Sequence, residues 1–568
     1  MIISRARASS VAAVAAGGGD VKLYNISLTT AGRFNFYRDY SELTGVGTHT
    51  FYVQRTHGTV GQCSVDYAVT GDASDNASGT LTWADGETGI KSFTSVISTK
   101  ADNGLHNVTA TLSNPTNSAV LHDGTDTVAY GVIDDSSVPS DSDAVFYDSA
   151  AGGGGSGTAA SPYNSIYTAI TALNSSGKKY LCGKGTTIPD GTNTAFNADS
   201  NPQCINVPST RANEAVRAYI MAWPGFTWAI DGAGGTNKLG FYAYSGESYL
   251  TFRNIDFTAL VNTSASNGAG IFFHYGGSGR INIEYCTADN INGAAGYNNG
   301  AYMVWGVTSA KIWRCTSNNI QTNGDNTNTN TAGVFTYDGE SVSVQRCEFT
   351  NSDSAVYHKR IATVGDVSTR FCFNHAQTAY GLHYGASGGS GVGHAYAIIQ
   401  GNLFEGCTSG AVNHTPGDSP VSLGPKTLYV TNNVFDACGS GEIAAIHTRH
   451  ERDSIFFNNI MYNCRKVWAD YVDSSGLGGT EIEYADYNLE SGTTLTSQRY
   501  EFRITNYSTA AAISSAHGFA TNDNEANPVF TDATNDDYTL DTGSPGLTGG
   551  VDSTEQGIYL TGVEVLGS

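Results

Sequence analysis

The sequence predicts an all-β protein, in which a right-handed parallel β-helix (a solenoid) follows a small Greek-key β-sandwich. Between Gly270 and Cys464 the chain repeats one pattern seven times, at a period of about 25–32 residues. Each copy has two short alternating strands around a polar loop, and none has helical periodicity. The composition of 68 Gly, 12 Pro and 14 % charged residues favours turns over amphipathic helices. Units of this kind bury their faces on their neighbours.

The predicted domains follow composition and pattern. They are a flexible arm (1–20), the β-sandwich (21–137), a Gly/Ser linker (138–160), the β-helix with an N-terminal capping helix (161–550) and a tail (551–568). Ile166, Ile170 and Leu173 stand at helical spacing, so a short helix there would cover the open first edge of the solenoid. KKYLCGKGT (178–186) is predicted to be the first strand.

The ten cysteines are distributed along the repeats and do not form a compact framework. Residues at equivalent repeat positions stack along a solenoid axis, which predicts buried ladders of small apolar thiols. One predicted ladder is Cys286, Cys315, Cys347 and Cys372, and the other is Cys407, Cys438 and Cys464. Cys182 and Cys204 are candidates for a disulfide in the first coils. No Cys/His spacing of a zinc site is present.

Repeated asparagines are predicted to be structural, because Asn tolerates left-handed backbone and hydrogen-bonds its own turn. These residues, expected to stack at coil corners, are Asn290, Asn318, Asn319, Asn374, Asn402, Asn432, Asn433, Asn458 and Asn459.

The N-terminal segment resembles a Calx-β domain. The matching stretches are Val65-Asp66-Tyr67, Gly79-Thr80-Leu81-Thr82-Trp83 with Asp85-Gly86-Glu87, Leu112-Ser113-Asn114-Pro115-Thr116, and Ile133-Asp134-Asp135. The resemblance implies a calcium site between a Glu-rich strand and the terminal Asp pair, which makes Asp134 and Asp135 the calcium candidates. The corresponding strand, NGLHNVTATL, has no carboxylate, whereas calcium takes about six to eight oxygen ligands. A spacer or docking role is therefore expected.

The rest of the chain resembles pectate-lyase-like right-handed β-helix proteins over about 145–550. The resemblance rests on the opening PYNSIYTAI, the Asn-bearing repeats and the ending NPVF, DYTL and GSP, which is similar to the terminal coils of that superfamily. It implies the fold, while the superfamily includes lyases, hydrolases, epimerases and phage tailspikes.

Alternation along the first strand of each repeat predicts an inner and an outer set of side chains. The inner set is Ile271, Phe273, Val334, Thr336, Val356, His358, Leu382, Tyr384, Val412 and His414. The outer set is Phe272, His274, Trp305, Phe335, Tyr337, Tyr357, Lys359, His383, Asn413, His447 and Arg449. An exposed stripe of aromatic, basic and imidazole groups suits sugar rings. The alternative is that a covering loop shields it.

Charge indicates the class of ligand. The net charge is −23, which argues against nucleic acid as the partner. Residues 358–452 contain seven of the 13 His, six Lys plus Arg and six Asp plus Glu, so this part is neutral and becomes positive when histidines protonate. A local electropositive groove on an acidic body predicts an acidic polysaccharide as partner. No stretch approaches the ~20 apolar residues of a membrane span.

Cleavage of a uronic-acid polymer by β-elimination needs a base, an acid and a group that neutralises the sugar carboxylate. Lys359 is the predicted base, His383 the acid or alternative base, and Arg449 or Arg360 the carboxylate partner. Lys359 with a basic residue on the next coil resembles the arrangement in alginate-lyase-type β-helices. His274, Trp305, Tyr337, Tyr357, Arg360 and His447 are the predicted substrate-binding residues.

Two other functions stay open at this stage. A glycoside hydrolase needs two carboxylates about 5–9.5 Å apart, for which Asp338, Glu340 and Asp353 are the candidates. A non-enzymatic virion spike or adhesin would use the same stripe only to bind glycan, and as a spike it would form a homotrimer or larger assembly. Each of these functions predicts an extracellular location, either secreted or on a phage particle.

Overall fold

The computed structural model divides into two compact units, residues 1–140 and 141–568. The described residues are 31–36, 40–43, 47–56, 60–71, 77–87, 89–97, 105–121, 128–134, 138–190, 203–207, 211, 216–244, 249–262, 268–274, 279–322, 324–325, 330–339, 341–361, 368–385, 396–415, 427–448, 453–470, 482–494, 498–502, 505–550 and 556–557. The predicted arm 1–20 lies outside them.

The first unit consists of two mainly antiparallel sheets around one core. The sheet of order β6-β3-β1-β8 contains β1 (Arg33–Phe36), β3 (Gly47–Thr56), β6 (Gly89–Ile97) and β8 (Val120–Leu121). The sheet of order β2-β9-β7-β4-β5 contains β2 (Tyr40–Leu43), β4 (Cys63–Gly71), β5 (Ser78–Trp83), β7 (Leu105–Ser113) and β9 (Val128–Asp134). Trp83 is fully buried with its ring centroid 4.9 Å from that of Phe34, so apolar residues of both sheets meet, as the alternating pattern predicts.

The second unit is a parallel β-solenoid of three strand ladders. The first sheet contains β10 (Ala144–Asp148), β11 (Tyr180–Thr187), β13 (Ala218–Ala222), β16 (Tyr249–Arg253), β19 (Arg280–Glu284), β22 (Ser309–Trp313), β25 (Ser341–Gln345), β28 (Ser368–Cys372), β31 (Tyr396–Gln400), β34 (Thr427–Thr431), β37 (Asp453–Phe457) and β40 (Ile482–Asp486). The second sheet contains β14 (Trp228–Asp231), β17 (Asp256–Thr258), β20 (Thr287–Gly293), β23 (Thr316–Thr322), β26 (Glu348–Thr350), β29 (His375–Gln377), β32 (Leu403–Glu405), β35 (Val434–Asp436), β38 (Ile460–Tyr462) and β41 (Leu489–Ser491). The third sheet contains β12 (Gln203–Asn206), β15 (Lys238–Tyr244), β18 (Ala269–His274), β21 (Asn299–Trp305), β24 (Thr331–Gly339), β27 (Ser354–Ile361), β30 (Tyr380–Gly385), β33 (Val412–Thr415), β36 (Ile446–Thr448), β39 (Trp468–Asp470), β42 (Tyr500–Phe502) and β43 (Thr505–Tyr507).

The three sheets enclose the core of the solenoid. Phe241 of the third sheet lies 5.3 Å from Phe252 of the first sheet and 6.1 Å from Phe257 of the second, between ring centroids. Each coil therefore contributes one face of every strand to a common interior, which confirms the parallel β-helix predicted from the repeats. The right-handed coil and the Greek-key order of the first unit stay predictions.

The predicted capping helix is confirmed as α1 (Ile166–Ser176). Ser165 caps it by accepting a hydrogen bond from the Thr168 N–H, and Gly177 ends it in the left-handed conformation. Its buried residues include Ile166, Ile170 and Leu173, and it packs against β10, β11 and β12. The helix thus covers the first edge of the solenoid.

The predicted linker is wrong in part. Within 138–160, β10 pairs in parallel with β11, so the first strand precedes KKYLCGKGT rather than beginning there. Its sequence AVFYD is almost wholly buried, which is the pattern of a strand covered on both faces.

The repeated thiols and amides are largely where the sequence places them. All ten cysteines are buried and none forms a disulfide, so the candidate pair Cys182 and Cys204 is not bonded. Cys315 N–H lies 3.4 Å from Cys347 Sγ, consistent with the first ladder. Cys372 was assigned wrongly, because it pairs with Gln345, and Asn374 occupies the ladder position after Cys347.

The asparagines form the structural elements predicted for them. Asn290, Asn319, Asn432 and Asn458 have φ of 55–58°. Asn374, Asn402, Asn433, Asn459 and Asn488 form a buried ladder, in which each amide oxygen accepts from the residue one coil earlier at 2.9–3.1 Å. This series begins at Cys347 and we call it the amide ladder.

In the described part of the chain the C-terminal hairpin adds no strand to the three sheets, although Asn524 before it forms a parallel bridge with Leu489. After α2 (Ala510–His517), β44 (Phe530–Asp532) and β45 (Asp537–Leu540) pair only with each other, as an antiparallel hairpin. Tyr538 of this hairpin packs on a buried outer ladder of the second sheet, formed by Leu403, Val434, Ile460 and Leu489. The segments NPVF and DYTL, predicted as terminal coils, therefore cover the outside of the second sheet.

Candidate functional site

The predicted exposed stripe is buried over most of its length. Five successive coils of the third sheet have the same register position filled by Phe272, Met303, Phe335, Tyr357 and His383. Phe272 and Phe335 are at most 1 % exposed, Tyr357 is 7 % and His383 5 % exposed, and Asn413 is also buried. The expectation of solvent exposure is therefore wrong for these side chains. Alternation fixes the face of a strand, but it does not reveal what lies over that face.

The inner set of the same strands is confirmed where it is described. His358 is buried, and its Nδ1 and Nε2 contact the hydroxyls of Thr336 and Thr369, the latter on the first sheet. Burial lowers the pKa of His358 to about 3, so this imidazole is neutral. It stacks on Tyr384, also buried, at 5.1 Å between ring centroids.

The remaining predicted site residues fall into two groups. Trp305, Tyr337 and His447 are half-buried, and the Trp305 and Tyr337 rings are in contact with centroids 4.7 Å apart. The side chains of His274, Lys359, Arg360, His414, Arg449, Asp338, Glu340, Asp134 and Asp135 lie outside the described residues. Lys359 and Arg360 nevertheless belong to β27, the strand that bears Tyr357, and the Arg360 backbone pairs with Tyr337.

A stack of three rings forms the centre of the candidate site. The His383 ring lies between those of Tyr357 and Tyr380, with centroids 4.5 and 4.2 Å away and interplanar angles of 8° and 15°. Between Tyr380 and His383, both Gly381 and Leu382 face the core. Gly381 lies directly against the ring of Phe404, so a side chain would not fit at this position. Tyr380 is half-buried and thus forms the exposed end of the stack.

Asp353 lies beside this stack. Its carbonyl accepts from the Tyr380 N–H at 2.7 Å, and its carboxylate accepts from Ser354 Oγ at 3.2 Å. Only 3 % of Asp353 is exposed, and burial raises its pKa to about 7. Burial also raises the pKa of Tyr357 to about 12 and that of Tyr380 above its ordinary value, with a smaller contribution from Asp353 in each case. The site thus holds two protonated phenols and a carboxyl group that titrates near neutral pH.

A groove of about 410 Å³ runs beside these groups, where the second sheet turns into the third. Its walls include Asn351, Ser352, Gln377, Thr378, Glu405 and Thr408. Ser352 directly precedes Asp353, and Thr378 is two residues before Tyr380. Glu405 accepts from Gln377 Nε2 at 2.5 Å, and its Oε2 lies 3.2 Å from His375 Nε2. The groove therefore has a carboxylate on its second-sheet wall, and its lining residues Ser352 and Ala379 directly precede Asp353 and Tyr380 in the chain.

Sequence reasoning missed Tyr380, His375, Glu405 and Asp436. A signal for two of them was present, since the copies NLFEGC and NVFDAC place Glu405 and Asp436 two residues before the ladder cysteines. The structure pairs these two carboxylates in register on β32 and β35. Burial, together with the charge of Glu405, raises the pKa of Asp436.

Comparisons with known proteins found similarity to solved structures over about a fifth of the chain. No protein-family model and no curated protein matches the chain. The chain is similar to the solved structure of the apo-form Calx CBD1 domain at 21 % identity and a TM-score of 0.17, over 18 % of this chain and 95 % of that one. It is also similar to CBD12 from CALX1.2 (18 % identity, 20 % and 50 % covered, TM-score 0.17). A third match is the calcium binding domain CBD12 of CALX1.1 (18 % identity, 22 % and 54 % covered, TM-score 0.17). The chain spans about half the length of the last two.

Neither helix in the described part of the chain is long and apolar enough to cross a membrane.

Proposed function

We propose that the protein binds an anionic polysaccharide along the outside of the third sheet and cleaves it by β-elimination. The observation that carries this proposal is the Tyr357–His383–Tyr380 stack, which lies in the coils that also hold Lys359 and Arg360. Aromatic and basic residues on consecutive coils suit sugar rings that bear carboxylates.

Each group has a distinct part in this proposal. Tyr380 is the acid, because its raised pKa keeps the phenol protonated and the residue is only partly buried, so a leaving oxygen can reach it. Lys359 is the base that removes the proton beside the sugar carboxylate, and Arg360 or Arg449 neutralises that carboxylate. His383, held between two rings, positions Tyr380.

Hydrolysis is the second candidate, favoured by Asp353. A carboxyl group with a pKa of about 7 is suited to protonate a glycosidic oxygen, and Glu405 in the groove wall supplies a carboxylate. A general acid must be protonated, so hydrolysis by Asp353 would lose rate as the pH rises through about 7. Elimination with Tyr380 as acid would not lose rate there.

The test is incubation with alginate, pectate and hyaluronan while absorbance near 232 nm and reducing ends are followed. We expect both signals to rise with at least one polymer. Tyr380→Phe should lower kcat by roughly 10²–10⁴-fold, the usual contribution of a general acid. Tyr249→Phe, which alters a half-buried tyrosine on β16 of the first sheet, is the matched control and should leave kcat unchanged.

Other outcomes separate the alternatives. Reducing ends without absorbance at 232 nm, together with loss of activity in Asp353→Asn, would establish the hydrolase. Saturable binding without either signal would identify a glycan-binding spike or adhesin. Equal rates for Tyr380→Phe and wild type would exclude the ring stack as the site.

A further inference from the structure

The C-terminal hairpin brings polar groups to the second sheet. Its Tyr538 is buried on the outer apolar ladder of β32, β35, β38 and β41, so the hairpin is seated at a defined position. The Tyr538 hydroxyl donates a hydrogen bond to Asp436 Oδ2 at 2.5 Å. Asp536 lies two residues before Tyr538 in the chain. Apolar packing of Tyr538 on the second sheet thus places the carboxylate of Asp536 near His375 and Glu405.

Three potential metal ligands meet at this point. One ligand atom each of His375, Glu405 and Asp536 lies within 4.8 Å of the others. His375 Nε2 and Glu405 Oε2 are 3.2 Å apart, close to the ~3.3 Å edge of a tetrahedron with metal–ligand bonds of about 2.0–2.1 Å. The His375 side chain is only 10 % exposed, so a metal there would replace little hydration of the imidazole.

A second observation concerns Asp436, which adjoins this group. It lies opposite Glu405 in the parallel register, so two carboxylates face the same side of neighbouring strands. Asp436 Oδ2 accepts from Tyr538, and Oδ1 is shielded from solvent. Like charges opposite each other destabilise a sheet, and a buried carboxylate oxygen calls for a positive partner.

We propose that His375, Glu405 and Asp536 bind a divalent transition-metal ion that ties the C-terminal hairpin to the solenoid. Imidazole with carboxylates is a donor set that suits zinc-like ions, whereas calcium prefers six to eight oxygens. Three protein ligands leave a coordination position for water. Because Glu405 also lines the groove, the ion would lie at its wall and hold that wall in place.

The experiment uses the full chain after removal of metal with EDTA and dialysis. Isothermal titration with ZnCl₂ should give one saturable site per chain with Kd in the micromolar range or below, and CaCl₂ should bind at least 100-fold more weakly. Zinc should also raise the Tm and slow proteolysis after residue 505. Asp536→Asn and Glu405→Gln should each weaken zinc binding at least tenfold and abolish the zinc-dependent protection.

Both substitutions are chosen to keep the fold. Asp536 is exposed and has a φ of 61°, a conformation that Asn adopts readily. Asp532→Asn is the matched control on the same hairpin, because its side chain can still accept from Asn535 Nδ2. Absence of saturable zinc binding would overturn the proposal. Binding that is equally tight in Asp536→Asn and Glu405→Gln would also overturn it, since the zinc would then be held elsewhere.

Discussion

One position of the coil is filled by thiols in the first half of the solenoid and by amides in the second half. Cys347 Sγ lies 3.7 Å from the Ile312 carbonyl of the preceding coil and 3.3 Å from the Gln345 carbonyl two residues before it. Asn433 Nδ2 donates to the corresponding carbonyls, those of Ile399 and Thr431, at 2.9 and 3.0 Å. Cys347 and Asn433 thus occupy equivalent positions in their coils and contact equivalent backbone carbonyls.

The difference between the halves is one of hydrogen-bond strength. A thiol is a weak donor and a weak acceptor, and it behaves mainly as a small apolar group. An amide offers two donors and a good acceptor, so every Asn also links its neighbours along the axis. Removing a group from the amide half leaves buried partners unsatisfied, whereas removing a thiol leaves mainly a small void.

The amide ladder ends on a buried carboxyl group whose pKa burial raises. Asn488 N–H donates to Asp523 Oδ1 at 2.8 Å, and Asp523 belongs to the segment that follows α2. Glu490, 1 % exposed and bonded by the Tyr500 hydroxyl, lies close enough to Asp523 that the two carboxyl groups influence each other's ionisation. The thiol ladder has no counterpart of this acidic end among the described residues.

The largest expected effect is that of Asn433→Ala. It removes the hydrogen bonds that Asn433 makes to the Ile399 carbonyl and the Asn402 N–H, and one of the two that Asn402 Nδ2 donates, while each buried unsatisfied group costs about 1–3 kcal/mol. We expect a loss of roughly 3–5 kcal/mol in free energy of unfolding. Cys347→Ala, the matched change in the thiol half, should cost roughly 1–2 kcal/mol. Urea denaturation followed by circular dichroism measures both, and equal losses would contradict the distinction.

The next effect is a pH dependence at the acidic end of the ladder. Burial raises the pKa of Glu490 to about 7. In the unfolded chain this carboxyl group ionises near pH 4.3, so unfolding releases a proton between these values and a rising pH lowers stability by roughly 2–3 kcal/mol. Below about pH 4 the group is protonated in both states and contributes no difference.

Glu490→Gln isolates this contribution, because the amide keeps an oxygen for Tyr500 and cannot ionise. The variant should be more stable than wild type by roughly 2 kcal/mol at pH 8 and equal to it at pH 4. Asp541→Asn, an exposed carboxylate elsewhere in the C-terminal segment, is the control and should change neither value. A wild-type profile that stays flat between pH 4 and pH 8 would rule out the raised pKa.

The smallest effect is expected from an exchange of the two residue types. Cys347→Asn should change the free energy of unfolding by less than about 1 kcal/mol, because the amide meets carbonyls of Ile312 and Gln345 that already face Sγ. Asn402→Cys, the reverse exchange inside the amide ladder, should cost roughly 2 kcal/mol or more. Thermal denaturation of both variants is sufficient, and a large loss for Cys347→Asn would mean that the thiol half is shaped for sulfur.

The sequence by itself determined the solenoid, the capping helix and most of the stacked residues. These features depend on local patterns that every coil repeats, so Ile166, Ile170 and Leu173 predicted α1 and the repeated asparagines predicted a structural ladder. The assignment of Cys372 failed because a repeat can shift by two residues while both copies still end in Cys. Of the candidate site, the sequence supplied Tyr357, His383 and Asp353, but it placed the first two in solvent.

Only the tertiary structure decided which outer faces are covered and which distant residues meet. The C-terminal hairpin lies on the second sheet because Tyr538 fits the outer ladder of Leu403, Val434 and Ile460, and no local pattern records that choice. The same docking brings Asp536 to His375 and Glu405. Ring stacking around His383 likewise depends on strands from successive coils. Periodicity fixes the direction of a side chain, whereas its burial and its partners depend on segments far away in the chain.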